Sequence, residues 1–161
     1  MLDGGFNCRS NRSGAHHSSL HTTLSVLEGF TEYDKNGYQY RLGDVKNAVQ
    51  SSPEFILKHQ LFLSDRIGDI IHKDFLKFSY PRRWRYDILS ALDYLQYANV
   101  PWDDRMSPAI NVIFKKRNKE GRWNLQAKHP GKVHFDMEKA GKPSRWNTLW
   151  VLRLIKHFKI E

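Results

Sequence analysis

Three aromatic positions and two arginines carry the clearest chemical signal in the sequence. His21, Trp84 and Trp146 each stand near the start of a predicted helix, and Arg83 and Arg145 directly precede the two tryptophans. Aromatic rings bind apolar groups and cations, and a guanidinium binds a diphosphate or carboxylate through paired hydrogen bonds. The pattern predicts a site for an anion beside an apolar group. The structural alternative is an aromatic core whose arginines pair with neighbouring carboxylates.

Two further groups extend this candidate site. His134, Asp136 and Glu138 alternate along a predicted short strand at residues 133–137, so they share one side of it. An imidazole and a carboxylate that face a cavity can act as acid and base, but such a row is also typical of a solvated edge strand. Tyr86 lies two residues after Trp84 and joins His134 among the candidate ligand-binding residues.

A metal site is a separate alternative. His17 and His21 have the i, i+4 spacing that places two ligands on one helix face, and Cys8 precedes them. The spacing from Cys8 to His16 matches no recognised ligand spacing, and hydrogen-bonded histidines at a helix start explain the same residues. We therefore expect no cofactor, with zinc bound by Cys8, His17 and His21 as the alternative.

The elements that must position these residues are helical. Three-and-four spacing of apolar residues predicts helices over residues 18–36, 43–62, 82–97, 103–117 and 144–158. Ser144 and Ser18 or Ser19 are predicted caps, Asn36-Gly37 ends the first helix, and Pro53 breaks the second. Residues 118–143 show no helical period, and a loop of that length is usually functional or packed on itself.

Alternate helices begin with a repeated motif. When Val26-Leu27 is aligned on Val151-Leu152, position 21 falls on position 146. The start of the tract at residues 81–86 copies residues 143–146, which places position 84 on position 146 as well. The positions 21, 84 and 146 are therefore 63 and 62 residues apart. Such regular spacing predicts helical hairpin repeats whose motif-bearing helices lie abreast with their N-termini at one end. The fold class is all-α.

A family resemblance supports this architecture. Asp3-Gly4-Gly5-Phe6, the helix start at residues 19–29 and the tract at residues 121–126 resemble the glycine-aromatic repeats of the prenyltransferase and squalene/terpene cyclase superfamily. Residues 83–89 and 141–149 resemble, more narrowly, uncharacterised prokaryotic members. The resemblance implies a partial α/α toroid that forms a single domain over residues 1–161, as the C-terminal part of a longer toroid. The first helix would then expose an apolar flank, which predicts self-association.

The resemblance does not carry a reaction to this chain. The Asp-x-Asp-Asp motif of the terpene cyclases is absent, and the zinc residues of the prenyltransferases do not map onto it. One hypothesis is an isoprenoid-handling enzyme or its remnant, with a deep apolar cavity that contains Trp84 and Trp146 and has a cationic mouth. The other is a non-catalytic helical-repeat protein with a shallow, open groove for a protein or peptide.

Composition narrows the class of protein and its partners. The 161 residues carry a net charge of +9, which favours anionic partners, but no nucleic-acid-binding motif accompanies this charge. The single cysteine excludes an internal disulfide and fits a reducing compartment. No segment is apolar over the length of a bilayer span, so we expect a cytoplasmic protein.

Overall fold

The computed structural model describes residues 1–129 and 131–160, and these residues are mostly α-helical. The helices are α1 (Ser10–Ser13), α2 (Leu20–Lys35), α3 (Leu42–Ser51), α4 (Pro53–Lys58), α5 (Ile88–Tyr97), α6 (Ser107–Lys115) and α7 (Arg145–Phe158). Short 3₁₀ turns occupy Lys73–Leu76 and Asp104–Met106, and the strands β1 (Trp123–Asn124) and β2 (Pro143–Ser144) pair antiparallel. The predicted all-α class is confirmed.

Local signals placed several helix ends correctly. The hydroxyl of Ser144 accepts the N–H of Asn147 at 3.0 Å and caps α7, as predicted. Asn36 ends α2, and Gly37 follows with φ 76°. Pro53 separates α3 from α4 and becomes the first residue of α4, where its missing N–H is tolerated.

Two predicted elements are wrong. The helix predicted over residues 82–97 begins only at Ile88, because Asp87 is its cap and accepts the Ser90 N–H at 2.8 Å. Residues 82–87 are irregular, and Arg83 has φ 53°. The strand predicted at residues 133–137 does not form; this segment is exposed, and the short strands lie on either side of it. A strand needs a partner for its backbone, and none of the described residues pairs with this segment.

The motif-bearing helices run parallel. Near the start of α2, His21 accepts the backbone N–H of Tyr86, and at its end the Lys35 ammonium donates to the carbonyl of Tyr97 at 3.0 Å. The two helices thus meet start to start and end to end. Helices α5 and α7 are parallel as well. These three helices, with α4 and α6, enclose one buried cluster, which includes Leu27, Ile56, Ile88, Leu92, Ile113 and Leu154.

The contacts between α5 and α7 fix their direction. The ring of Tyr80, which precedes α5, stacks on Trp146 with centroids 4.9 Å apart. Further along both helices, the carboxylate of Asp93 lies 3.8 Å from the guanidinium of Arg153. Because the contacts advance along both chains in the same sense, α2, α5 and α7 all direct their N-termini to one end of the molecule.

The loops that precede α2 and α7 each form the same kind of hydrogen bond with the helix. The backbone N–H of Phe6 donates to the hydroxyl of Thr23 at 2.9 Å, and the backbone N–H of Trp123 donates to the hydroxyl of Thr148 at 3.1 Å. Each threonine stands four residues after the cap of its helix. In both cases a hydrogen bond joins an aromatic residue of the preceding loop to the same position of the helix.

The apolar flank predicted on α2 is largely covered. The ring of Phe30 meets the ring of Phe6 edge to face at 5.9 Å, and Val26 and Tyr33 are half-buried. More exposed apolar side chains lie on α7, where Leu149 and Leu152 are 48% and 50% exposed. Self-association stays a prediction. In the described part of the chain, none of the helices combines the length and the apolar character that crossing a bilayer requires.

Candidate functional site

A surface groove crosses the end of the molecule where the N-termini meet. We define the groove as the surface formed by residues 7–9, the first turns of α2, and the segments 72–86, 127–129 and 132–138. It holds three depressions of about 510, 310 and 280 Å³. His21 and Trp84 line the depressions of about 510 and 310 Å³. Lys128 and His129 line those of about 310 and 280 Å³. The three depressions therefore form one continuous surface.

The central depression, of about 310 Å³, mixes histidines, aromatic rings and charges. Its lining includes His21, His72, Asp74, Phe75, Lys77, Trp84, Arg85, Tyr86, Lys128 and His129. It is open to solvent, and Trp84 is 68% exposed. The site is thus an open groove of mixed polarity rather than a deep apolar cavity.

A hydrogen bond and ring packing hold His21 in place in the central depression. Its Nδ1 accepts the backbone N–H of Tyr86 at 3.0 Å, and its ring packs edge-on against Phe75 at 5.3 Å. Burial lowers the pKa of His21, and the nearby His72 and Arg85 lower it further, although the backbone of Trp84 acts in the opposite direction. The ring is therefore neutral at neutral pH, with its proton on Nε2.

Two other histidines have one ring nitrogen bound to the backbone. Nδ1 of His72 accepts the N–H of Asp74 at 3.2 Å. Nε2 of His129 lies 2.8 Å from the carbonyl of Arg82, so that nitrogen must donate. The pKa of His129 is lowered, chiefly by burial. The three rings of the central depression therefore have defined tautomers.

The groove carries uncompensated positive charge. Lys77 pairs with Asp74 at 2.6 Å, and Lys128 pairs with Asp136. Arg83 and Arg85, in contrast, have no carboxylate within 4.0 Å among residues 1–129 and 131–160. The Arg85 guanidinium lies 5.6 Å from the Trp84 ring centroid. Guanidinium groups without a carboxylate partner, next to exposed aromatic surface, have the chemistry to bind an anion.

The structure divides the predicted site residues into two groups. His21, Trp84 and Tyr86 line the central depression, and Arg83 and His134 line the adjoining depression of about 280 Å³. Tyr86 has a structural task as well, because its hydroxyl donates to the carbonyl of Leu61 at 2.6 Å and only 2% of the residue is exposed.

Trp146 and Arg145 are not part of the central depression. Trp146 packs behind Tyr80, and its Nε1 is buried without a hydrogen-bond partner among the described residues. The side chain of Arg145 is 81% exposed, with its Nε 3.6 Å from the carboxylate of Glu138. The expectation that Trp84 and Trp146 occupy equivalent positions fails, because Trp84 precedes its helix by four residues while Trp146 lies inside α7.

Several residues of the central depression were not anticipated, among them His72, Phe75, Arg85 and His129. His72, Phe75 and His129 lie in segments without helical or strand periodicity, so neither pattern could place them, and Arg85 lies in the tract that was wrongly predicted to be helical. For His129 the sequence signal was the length of the loop at residues 118–143, which suggested a functional role without indicating which side chains face the groove.

The metal alternative receives no support from the geometry. Across residues 1–129 and 131–160, no group of three His, Cys, Asp or Glu side chains could hold a metal ion. This includes Cys8, His17 and His21, whose i, i+4 spacing also fails because His17 precedes the first residue of α2.

Comparison of the chain with family models, curated proteins and solved structures finds no significant match to any of them.

Proposed function

We propose that the chain is part of a prenyltransferase/squalene cyclase-like α/α toroid, and that its groove binds an anionic ligand with an apolar portion, such as an isoprenoid diphosphate. The observation that carries this proposal is the guanidinium of Arg85, which has no carboxylate partner among the described residues and lies 5.6 Å from the centroid of the exposed Trp84 ring; Arg83, equally without such a partner, lines the adjoining depression. The parallel helices α2, α5 and α7 support the toroid part of the proposal.

The groove fits such a ligand in charge and size. A guanidinium forms two parallel hydrogen bonds with a phosphate, and the net charge of +9 attracts anions to the surface. Depressions of about 310 and 510 Å³ that share Trp84 and His21 fall within the usual range for small-ligand sites. The exposed ring of Trp84 offers apolar surface to a prenyl chain.

A second candidate is an acidic peptide or protein segment. The observation that favours it is the open form of the groove, in which three depressions follow one another and Trp84 is largely exposed. An extended chain could lie along all three depressions, with its carboxylates at Arg83 and Arg85. Exposed tryptophan and arginine are the residue types that most often dominate protein interfaces.

Calorimetry with a non-hydrolysable farnesyl diphosphate analogue tests the first candidate. We expect binding to the wild type and, for Arg85→Gln, an affinity lower by about tenfold or more, because a charge-assisted hydrogen bond is lost. Arg145→Gln is the matched control, since it removes the same charge outside the depression and should leave the affinity within about twofold.

The outcomes separate the candidates. Equal losses in Arg85→Gln and Arg145→Gln would show that only overall charge matters and would contradict a defined site. A wild type that gives neither heat nor a shift in melting temperature with the analogue rules out the isoprenoid candidate. Binding of a fluorescent acidic, aromatic-containing peptide that Arg85→Gln weakens would then establish the second.

A further inference from the structure

Two histidines of the central depression share an uncommon arrangement. His21 accepts the N–H of Tyr86 at Nδ1, and His72 accepts the N–H of Asp74 at Nδ1. A ring nitrogen that accepts a backbone N–H cannot carry a proton itself, so each neutral ring holds its proton on Nε2. The backbone therefore selects the tautomer at both positions.

The free nitrogens are available to a ligand. Nε2 of His21 makes no hydrogen bond with any described residue and is not a buried unsatisfied atom, so it is open to solvent in the groove. The side chain of His72 is 59% exposed. Both rings pack against Phe75, with centroids 5.3 and 5.7 Å from it, so the two imidazoles border the same side chain of the central depression.

We infer that His21 and His72 donate hydrogen bonds from Nε2 to a phosphate group of the ligand, next to Arg85. This inference rests on the proposed function and specifies how the anionic group is recognised. Two imidazole N–H groups and a guanidinium supply donors that match the acceptor-only oxygens of a phosphate, and the Asp74 carboxylate of the same depression is paired with Lys77. His129 has the opposite arrangement, because its Nε2 donates to Arg82 and its Nδ1 can only accept, so it is not part of the pair.

The tautomers can be tested without a ligand. Long-range ¹H–¹⁵N spectra of the free protein at slightly alkaline pH should show His21 and His72 protonated at Nε2 and unprotonated at Nδ1. The Nδ1–H tautomer at either position would overturn the inference, because its backbone N–H partner would then face another donor.

The ligand role is tested with asparagine variants. The Oδ1 of asparagine takes the place of Nδ1 and keeps an acceptor for the backbone N–H, whereas the donor at Nε2 is lost. We expect His21→Asn and His72→Asn to bind the farnesyl diphosphate analogue about tenfold more weakly than the wild type, since a hydrogen bond to a charged group is lost. His157→Asn, on the last turn of α7 and outside the groove, is the control.

Thermal unfolding establishes that each variant is folded. If His21→Asn does not fold, His72→Asn decides alone, because its side chain is mostly exposed. Wild-type binding with unchanged affinity in the folded variants refutes the inference and leaves the proposed function intact. Absence of binding to the wild type refutes the proposed function and, with it, the ligand role of both histidines.

Discussion

Replacement of Asp87 by asparagine should stabilise the protein at neutral pH. Asp87 caps α5 from a buried position, and it is only 3% exposed. Its Oδ1 accepts the N–H of Ser90 at 2.8 Å and the hydroxyl of Ser90 at 3.1 Å. Burial raises the pKa of Asp87 from 3.8 to about 6, even though the bonds from Ser90 and the charge of Arg82 act in the opposite direction.

The raised pKa determines the sign and the size of the effect. Between about pH 4 and pH 6 the folded state binds a proton that the unfolded state has released, so this group lowers the free energy of unfolding as the pH rises through that range. The difference between 3.8 and about 6 corresponds to a loss of about 3 kcal/mol at neutral pH, at about 1.4 kcal/mol per tenfold change.

Asparagine removes this cost and keeps the cap. It is neutral, its Oδ1 can accept the same two hydrogen bonds, and asparagine and aspartate are equally good helix caps. We expect Asp87→Asn to raise the free energy of unfolding at neutral pH by about 1 to 3 kcal/mol, and the two proteins to converge near pH 4. Urea denaturation curves at several pH values in this range measure the difference.

Asp103→Asn provides a control of opposite sign. Asp103 also caps a helical turn, but its hydrogen bonds with Arg105 lower the pKa of its carboxyl, so its contribution to stability is present at neutral pH and is lost on acidification. This variant should be less stable than the wild type at neutral pH. The reasoning about burial would be refuted if Asp87→Asn were also less stable there, or if its difference from the wild type did not depend on pH.

Two further predictions concern the entries to α2 and α7. Thr23→Val and Thr148→Val each leave a backbone N–H without its acceptor and should lower the free energy of unfolding by about 1 to 3 kcal/mol in chemical denaturation; equal stability to the wild type would contradict the shared role of these hydroxyls. Gly5→Ala should lower the melting temperature, because the added methyl carbon would lie 2.7 Å from the Thr23 hydroxyl and 2.9 Å from the Phe55 ring. Gly29→Ala, where the methyl meets nothing within 4 Å, is its control and should not be destabilised.

Sequence alone determined where several helices begin and end. The cap at Ser144, the end of α2 at Asn36 and the break at Pro53 were all predicted, because each depends on backbone hydrogen bonds within a few residues. The repeat spacing also led to the expectation of helices lying abreast, and α2, α5 and α7 do run parallel.

The register of α5 and the composition of the groove were decided by the tertiary structure. The tract before α5 resembles the tract before α7 in amino-acid sequence. Its helix nevertheless begins after the cap at Asp87, so Trp84 lies in the preceding loop at the groove. Tyr80 meanwhile covers Trp146. The groove unites side chains from segments with no periodic pattern, such as His72 and His129. Their positions depend on contacts between residues about 50 apart, as in the bond between His129 and Arg82.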